Sequence, residues 1–136
     1  MLREFSVQLE DKVGAMNRLA RTLAEKEVKI LSMAAKVTPE NPTVGLVAEE
    51  DARLRDALEA SHFTFEESEM ASATVSDDPQ DFVKLTEHLA NAMIDIKSVY
   101  ILAKVGTTVQ YGFVADNAQK IDHVLSEPSA QELIIA

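Results

Sequence analysis

Asp11 to Ser32 reads DKVGAMNRLARTLAEKEVKILS, and 66 residues further on Asp77 to Ser98 reads DDPQDFVKLTEHLANAMIDIKS. Asp11, Leu19, Leu23, Ala24, Ile30 and Ser32 fall on Asp77, Leu85, Leu89, Ala90, Ile96 and Ser98. Met16 falls on Phe82, and Val28 on Ile94. At an offset of 67, Gly45-Leu46-Val47-Ala48 falls on Gly112-Phe113-Val114-Ala115, Arg53-Leu54 on Lys120-Ile121, and Leu58 on Leu125. The chain is therefore two copies of one unit of about 65 residues. The expected units are 1–68 and 69–136. A unit of that size buries a marginal core alone, so the copies are expected to pack on each other, on a second chain, or both.

Local patterning gives the order of elements. In Leu2 to Leu9, Phe5, Val7 and Leu9 alternate with Glu4, Ser6 and Gln8, the period of a strand with one buried face. Met16, Leu19, Ala20, Leu23 and Ala24 recur at helical spacing, while Arg18, Arg21, Glu25 and Lys26 fall off that stripe and are expected in solvent. Val28 to Val37 reads as a second strand, with Ile30 and Ser32 on one face. Thr38 to Pro42 is a turn by composition, Val44 to Ala48 a third strand, and Asp51 to Ala60 a second helix. Phe63 to Val75 contains no Gly or Pro and reads as one continuous strand that closes the first unit and opens the second. The second unit follows with a helix from Pro79 to about Met93, strands Ile94–Lys104 and Thr107–Ala115, a helix Ala118–Leu125 and a closing strand Glu132–Ile135. Gly106 supplies the turn between its middle strands. The fold class is α+β: two ferredoxin-like βαββαβ units, antiparallel sheets with helices on one face, joined by a shared continuous strand.

Composition narrows the function. With 13 Lys and Arg against 23 Asp and Glu, the formal net charge is −10, which argues against nucleic acid and against an anionic membrane surface. There is no cysteine, so disulfides, thiol nucleophiles and zinc–thiolate sites are excluded. No apolar run spans a bilayer and no apolar signal core opens the chain, so a soluble cytoplasmic protein is the expectation.

The loop Asp11-Lys12-Val13-Gly14-Ala15-Met16 is the best candidate for chemistry. A helix N-terminus presents unpaired N–H groups and the positive end of a dipole. Gly14 carries no Cβ where a ligand would approach. Together with Asp11 these suit a zwitterion: carboxylate on the N–H groups, ammonium on Asp11. The same residues serve equally as a helix cap and a turn. In the second copy, Asp77-Asp78-Pro79-Gln80-Asp81-Phe82 is good helix-start chemistry and poor anion chemistry, because three carboxylates occupy the positive end and Gln80 stands in the place of Gly14. His62, His88 and His123 lack metal-ligand spacing, and Ser32 and Ser98 have no neighbouring base. No catalytic residue, cofactor or metal is expected, and nothing in the chain reads as an enzyme.

These residues resemble the ACT domain, the small regulatory module attached to many enzymes of amino-acid metabolism. The likeness lies in the acidic–Gly–apolar start of the first helix, Asp11 to Met16, and in the passage Leu23-Ala24-Glu25-Lys26-Glu27-Val28-Lys29-Ile30 from helix into second strand. It covers essentially the whole chain as a free-standing tandem. The resemblance implies a non-catalytic regulatory protein that binds a small ligand, most simply an amino acid, at the interface of paired units. It implies ligand contacts from Asp11, Lys12, Val13, Gly14, Ala15, Met16 and Asn17, facing second-strand positions Ile96, Lys97, Ser98 and Val99. A mirror site would set Asp77 to Phe82 against Ile30, Leu31, Ser32 and Met33. Gln80 and Asp81 depart from the family pattern there. The alternative is a protein-interaction module that forms a homodimer or binds a metabolic enzyme without a small ligand.

Overall fold

The computed structural model describes residues 2–135, the side chain of Lys36 apart. Its elements are β1 (Leu2–Gln8), α1 (Ala15–Glu25), β2 (Ile30–Lys36), β3 (Thr43–Ala48), α2 (Asp51–Ala60), β4 (Phe65–Ser76), α3 (Pro79–Asn91), β5 (Ile96–Val105), β6 (Thr108–Ala115), α4 (Ala118–Leu125) and α5 (Pro128–Gln131). The chain divides into two compact units, Leu2–Ser68 and a second that begins at Glu69. The boundary falls inside β4, a single strand of 12 residues.

In the first unit the strands lie in the order β2-β3-β1-β4. β1 and β2 both pair antiparallel with β3. The alternating set predicted for the first strand, Phe5, Val7 and Leu9, is buried against Leu19 and Leu23 of α1 and Leu54 and Leu58 of α2, with Val44, Leu46 and Ala48 of β3 on the same side. One sheet face therefore carries both helices.

The second unit repeats this with β4-β6-β5. Its core joins Ala71, Ala73 and Val75 of β4 to Leu85 and Leu89 of α3, Phe113 of β6, and Ile121, Val124 and Leu125 of α4. The residues that match across the repeat (Leu19 and Leu85, Leu23 and Leu89, Leu46 and Phe113, Leu54 and Ile121, Leu58 and Leu125) are core in both units. The similarity visible in the sequence is thus the similarity of two interiors.

The ends of the helices explain where the strands begin. Glu27, His62 and Met93 all have positive φ (54°, 61° and 62°). Each sits one residue past a helix C-cap. Glu27 N donates to Ala24 O and Val28 N to Leu23 O; His62 N to Glu59 O and Phe63 N to Leu58 O; Met93 N to Ala90 O and Ile94 N to Leu89 O. This paired-bond ending satisfies the last helical carbonyls and packs the following apolar residue back on the helix. It absorbs Val28 and Phe63, which periodicity had given to strands, so β2 starts at Ile30 and β4 at Phe65.

Two further expectations are corrected. Ile30 and Ser32 do not share a face. Ile30 pairs with Ala48 and Ser32 with Val47, adjacent residues of β3, because a bulge takes up Leu31. Ile96 and Ser98 repeat the irregularity against Ala115 and Val114. A bulge inserts one residue and inverts the alternation beyond it, which strict period-two reading misses. The closing strand at Glu132–Ile135 is also absent. Pro128 fits the first turn of the short α5, and the tail returns to β4 through one backbone hydrogen bond, Ile135 N to Thr74 O at 2.7 Å. Gly106 does make the β5–β6 turn, at φ 58°. Among the described residues no helix is long and apolar enough to cross a membrane.

Candidate functional site

The loop that leaves β1 lies on the surface. Asp11 is exposed, and Val13 is exposed outright at 103%. Lys12 donates its backbone N–H to Glu10 O, and its ammonium lies 2.6 Å from the Glu10 carboxylate. The side-chain hydrogen bond from the Lys12 ammonium and its charge hold the Glu10 carboxyl below its ordinary range. Gly14 is the N-cap of α1, at φ 92°, and no side chain caps the helix. A Cβ built on Gly14 would meet nothing within 4 Å. Ala15 is buried, Met16 packs on the core, and Asn17 accepts a hydrogen bond from Arg21 Nε at 3.0 Å.

The corresponding start of α3 is closed. Asp78 is its N-cap and accepts from Gln80 N at 2.9 Å, Pro79 fills the first position, and Asp81 accepts from the Ser76 hydroxyl. The two copies of one loop therefore present opposite chemistry: an open helix start at Gly14 and a carboxylate-filled one at Asp78.

The second-strand positions lie elsewhere within each unit. Gln8 pairs with Thr43 at one end of β3, whereas Ile30 pairs with Ala48 at the other. Ile30, Leu31 and Ser32 are thus at the opposite end of the sheet from Asp11–Asn17, and β3 separates their strands. The same holds in the second unit, where Ser76 pairs with Thr108 and Ile96 with Ala115. Ile96 packs on its own core, Lys97 is held by Asp95 at 2.6 Å, Ser98 pairs with Val114, and Val99 is half exposed opposite Phe113. The Asp95 hydrogen bond raises the Lys97 ammonium above its ordinary range. Neither unit alone brings its loop and its second strand together.

What the first unit does assemble is a cleft of about 220 Å³ beside the Gly14 loop. Leu9, Ala15 and Phe63 supply buried apolar lining, and Glu10, Lys12, Arg18 and His62 are its charged or titratable residues. Arg18 was assigned to solvent by its place off the apolar stripe. It is exposed, with its guanidinium 4.2 Å from the centroid of Phe63, and it donates from Nη2 to Ser61 O at 3.0 Å. Only one sequence signal pointed there: Arg18 and Lys84 are basic at the same place in the two copies. Phe63, His62 and Thr64 carried none, because the α2–β4 turn is brought to the loop by the fold. Among the described residues no group of three or more His, Cys, Asp or Glu side chains is placed to hold a metal.

No protein-family model matches the chain, and no curated protein matches it in sequence. Solved structures do. Protein BT0572 from Bacteroides thetaiotaomicron superposes with a TM-score of 0.84 at 17% identity, covering 100% of this chain and 92% of that one. The ligand-free regulatory subunit of aspartate kinase from Thermus thermophilus gives 0.67 at 12% identity, covering 97% and 91%. The regulatory subunit from Thermus flavus gives 0.61 at 14%, covering 91% and 90%. At these identities the likeness is one of fold, and it extends through both units.

Proposed function

We propose that this chain is a tandem ACT-type regulatory protein without catalytic activity of its own, and that it binds a small amino acid at the open start of α1. The observation that carries this reading is the difference between the repeated loops. Gly14 leaves the N-terminus of α1 without a side-chain cap, whereas Asp78 caps α3. A helix start left open suits a carboxylate, and the exposed Asp11 beside it suits an ammonium. Two of the proteins that share the fold are regulatory subunits of aspartate kinase. The second-strand positions Ile96–Val99 and Ile30–Ser32 are, in this reading, the surfaces a neighbouring unit offers to the far side of a ligand.

A thermal-shift screen of the whole chain over the standard amino acids tests it. A ligand that binds only the native state raises stability with the logarithm of its concentration over Kd once that ratio exceeds one. At least one amino acid is expected to raise Tm at millimolar concentration, and Asp11→Asn to abolish the shift. No stabilisation by any of them defeats the reading.

A second reading is supported by apolar side chains exposed on the outermost strands: Met33 on β2, and Val99 and Val105 on β5. Here the chain binds a second copy or an enzyme without a small ligand. A protein that stays monomeric at high concentration, and responds to an amino acid, argues against it.

A further inference from the structure

We propose that the first unit carries, by itself, a cleft that binds a short organic carboxylate, with the Arg18 guanidinium as its anion partner. The inference does not depend on the amino-acid reading above.

Arg18 is held differently from Arg53 and Arg55. Arg53 and Arg55 each form ion pairs, with Glu27 and Glu50 and with Glu67 respectively. Among the described residues Arg18 forms none. It is also fixed in place. The guanidinium carbon lies over the ring of Phe63, 4.2 Å from its centroid, and Ser61 O takes one of the five N–H donors. A planar cation held in one orientation binds a carboxylate with less loss of rotamer freedom than a mobile lysine.

The surrounding residues define the ligand class. Glu10, the acidic residue of the cleft, is engaged by Lys12 at 2.6 Å, and the Arg18 charge is the smallest of the influences that hold its carboxyl down. Leu9, Ala15 and Phe63 give an apolar wall for a carbon chain. The volume of about 220 Å³ lies below the range of roughly 300–1,000 Å³ common for drug-sized ligands. A carboxylate bearing a few carbons therefore suits the cleft better than a large one. The second unit makes the contrast internally. Lys84, 66 residues after Arg18, lies 3.9 Å from Asp81 and has its carboxylate within the chain.

The test is a titration of the full chain with propionate, and with propionamide as its neutral counterpart, followed by amide shifts in two-dimensional NMR. Saturable shifts at Lys12, Phe63 and Thr64 are expected with propionate, and binding weaker by about tenfold or more with propionamide, because a hydrogen bond to a charged group is at stake. Arg18→Gln is expected to weaken propionate by about tenfold, and Lys84→Gln to leave it unchanged. Shifts that never saturate, equal binding of propionamide, or full affinity in a folded Arg18→Gln protein would overturn the proposal. If Arg18→Gln does not fold, Arg18→Lys decides. It keeps the charge and loses the fork, so a several-fold loss is expected and unchanged affinity is fatal. Propionate binding without amino-acid stabilisation defeats only the amino-acid reading; the reverse result defeats only this one.

Discussion

Glu27 and Met93, 66 residues apart, hold the same left-handed backbone, φ 54° and 62°, each one residue past the C-cap of the helix that follows its unit's first strand. Glycine is the residue that takes this conformation without a Cβ clash, and neither position has it. Met93 is 78% exposed, so its side chain contributes little packing in return. Met93→Gly is expected to stabilise the chain by about 0.5–1 kcal/mol, read as a rise in the urea midpoint at unchanged slope. Ala at the same position keeps the strain and should give no such gain.

Gly112 is constrained by packing instead. A Cβ there would lie 2.5 Å from Met70 Sδ and 3.0 Å from Leu102 Cδ1, and both side chains are buried. Gly112→Ala is expected to destabilise by about 1–3 kcal/mol through overpacking. Shortening the neighbour with Met70→Val in the same protein should recover part of that loss. Additive denaturation midpoints for the double variant would refute the contact as the cause.

Arg55 donates from Nε and Nη2 to the two carboxylate oxygens of Glu67, at 2.7 Å and 2.6 Å, and Arg3 lies 3.7 Å from the same carboxylate. The Arg55 hydrogen bonds hold the Glu67 carboxyl below its ordinary range of about 4.3. The folded protein therefore binds this proton less readily than the unfolded chain. Its contribution to stability is present above the unfolded value and is lost as pH falls through the folded one. Glu67→Gln should lower Tm at pH 7 and make the fall in Tm below about pH 4.3 shallower than in the parent. Parallel Tm profiles for the two proteins across that range would count against the pairing.

Gly14 is constrained by backbone conformation alone. Nothing lies within 4 Å of a Cβ built on it, yet its φ is 92°. Gly14→Ala is therefore expected to cost about 1–2 kcal/mol from backbone strain alone, with no steric term. In urea denaturation the loss should be near the same for Ala and Ser. A Ser variant that matches the parent would show that a side-chain cap repays the strain.

Much of the fold was legible in the residues. Leu19, Leu23, Leu54 and Leu58 recur at helical spacing and reappear as Leu85, Leu89, Ile121 and Leu125, because two interiors of one shape demand the same apolar positions. The loop difference was legible too, since Gly14 against Asp78 and Gln80 is a statement about helix ends, which are local. Errors came where alternation is interrupted by a single residue. The bulges at Leu31 and Lys97 left no composition signal, and they placed Ser32 and Ser98 on the other face from Ile30 and Ile96. Glu132–Ile135 forms no strand and follows a short helix that Pro128 opens, a local signal outweighed by the apolar run Leu133–Ile135.

By itself, then, the sequence determined the repeated unit, its order of elements as far as α4, its core and the open start of α1. Each of these depends on residues within a few positions of one another. Only the tertiary structure decided the cleft. Arg18 and Phe63 are 45 positions apart, on a helix and on the turn after another, and their stacking exists because both helices pack on one sheet face. Periodicity assigns a side chain to solvent or core, but which distant ring waits beside an exposed guanidinium is settled by the packing of helices and not by spacing along the chain.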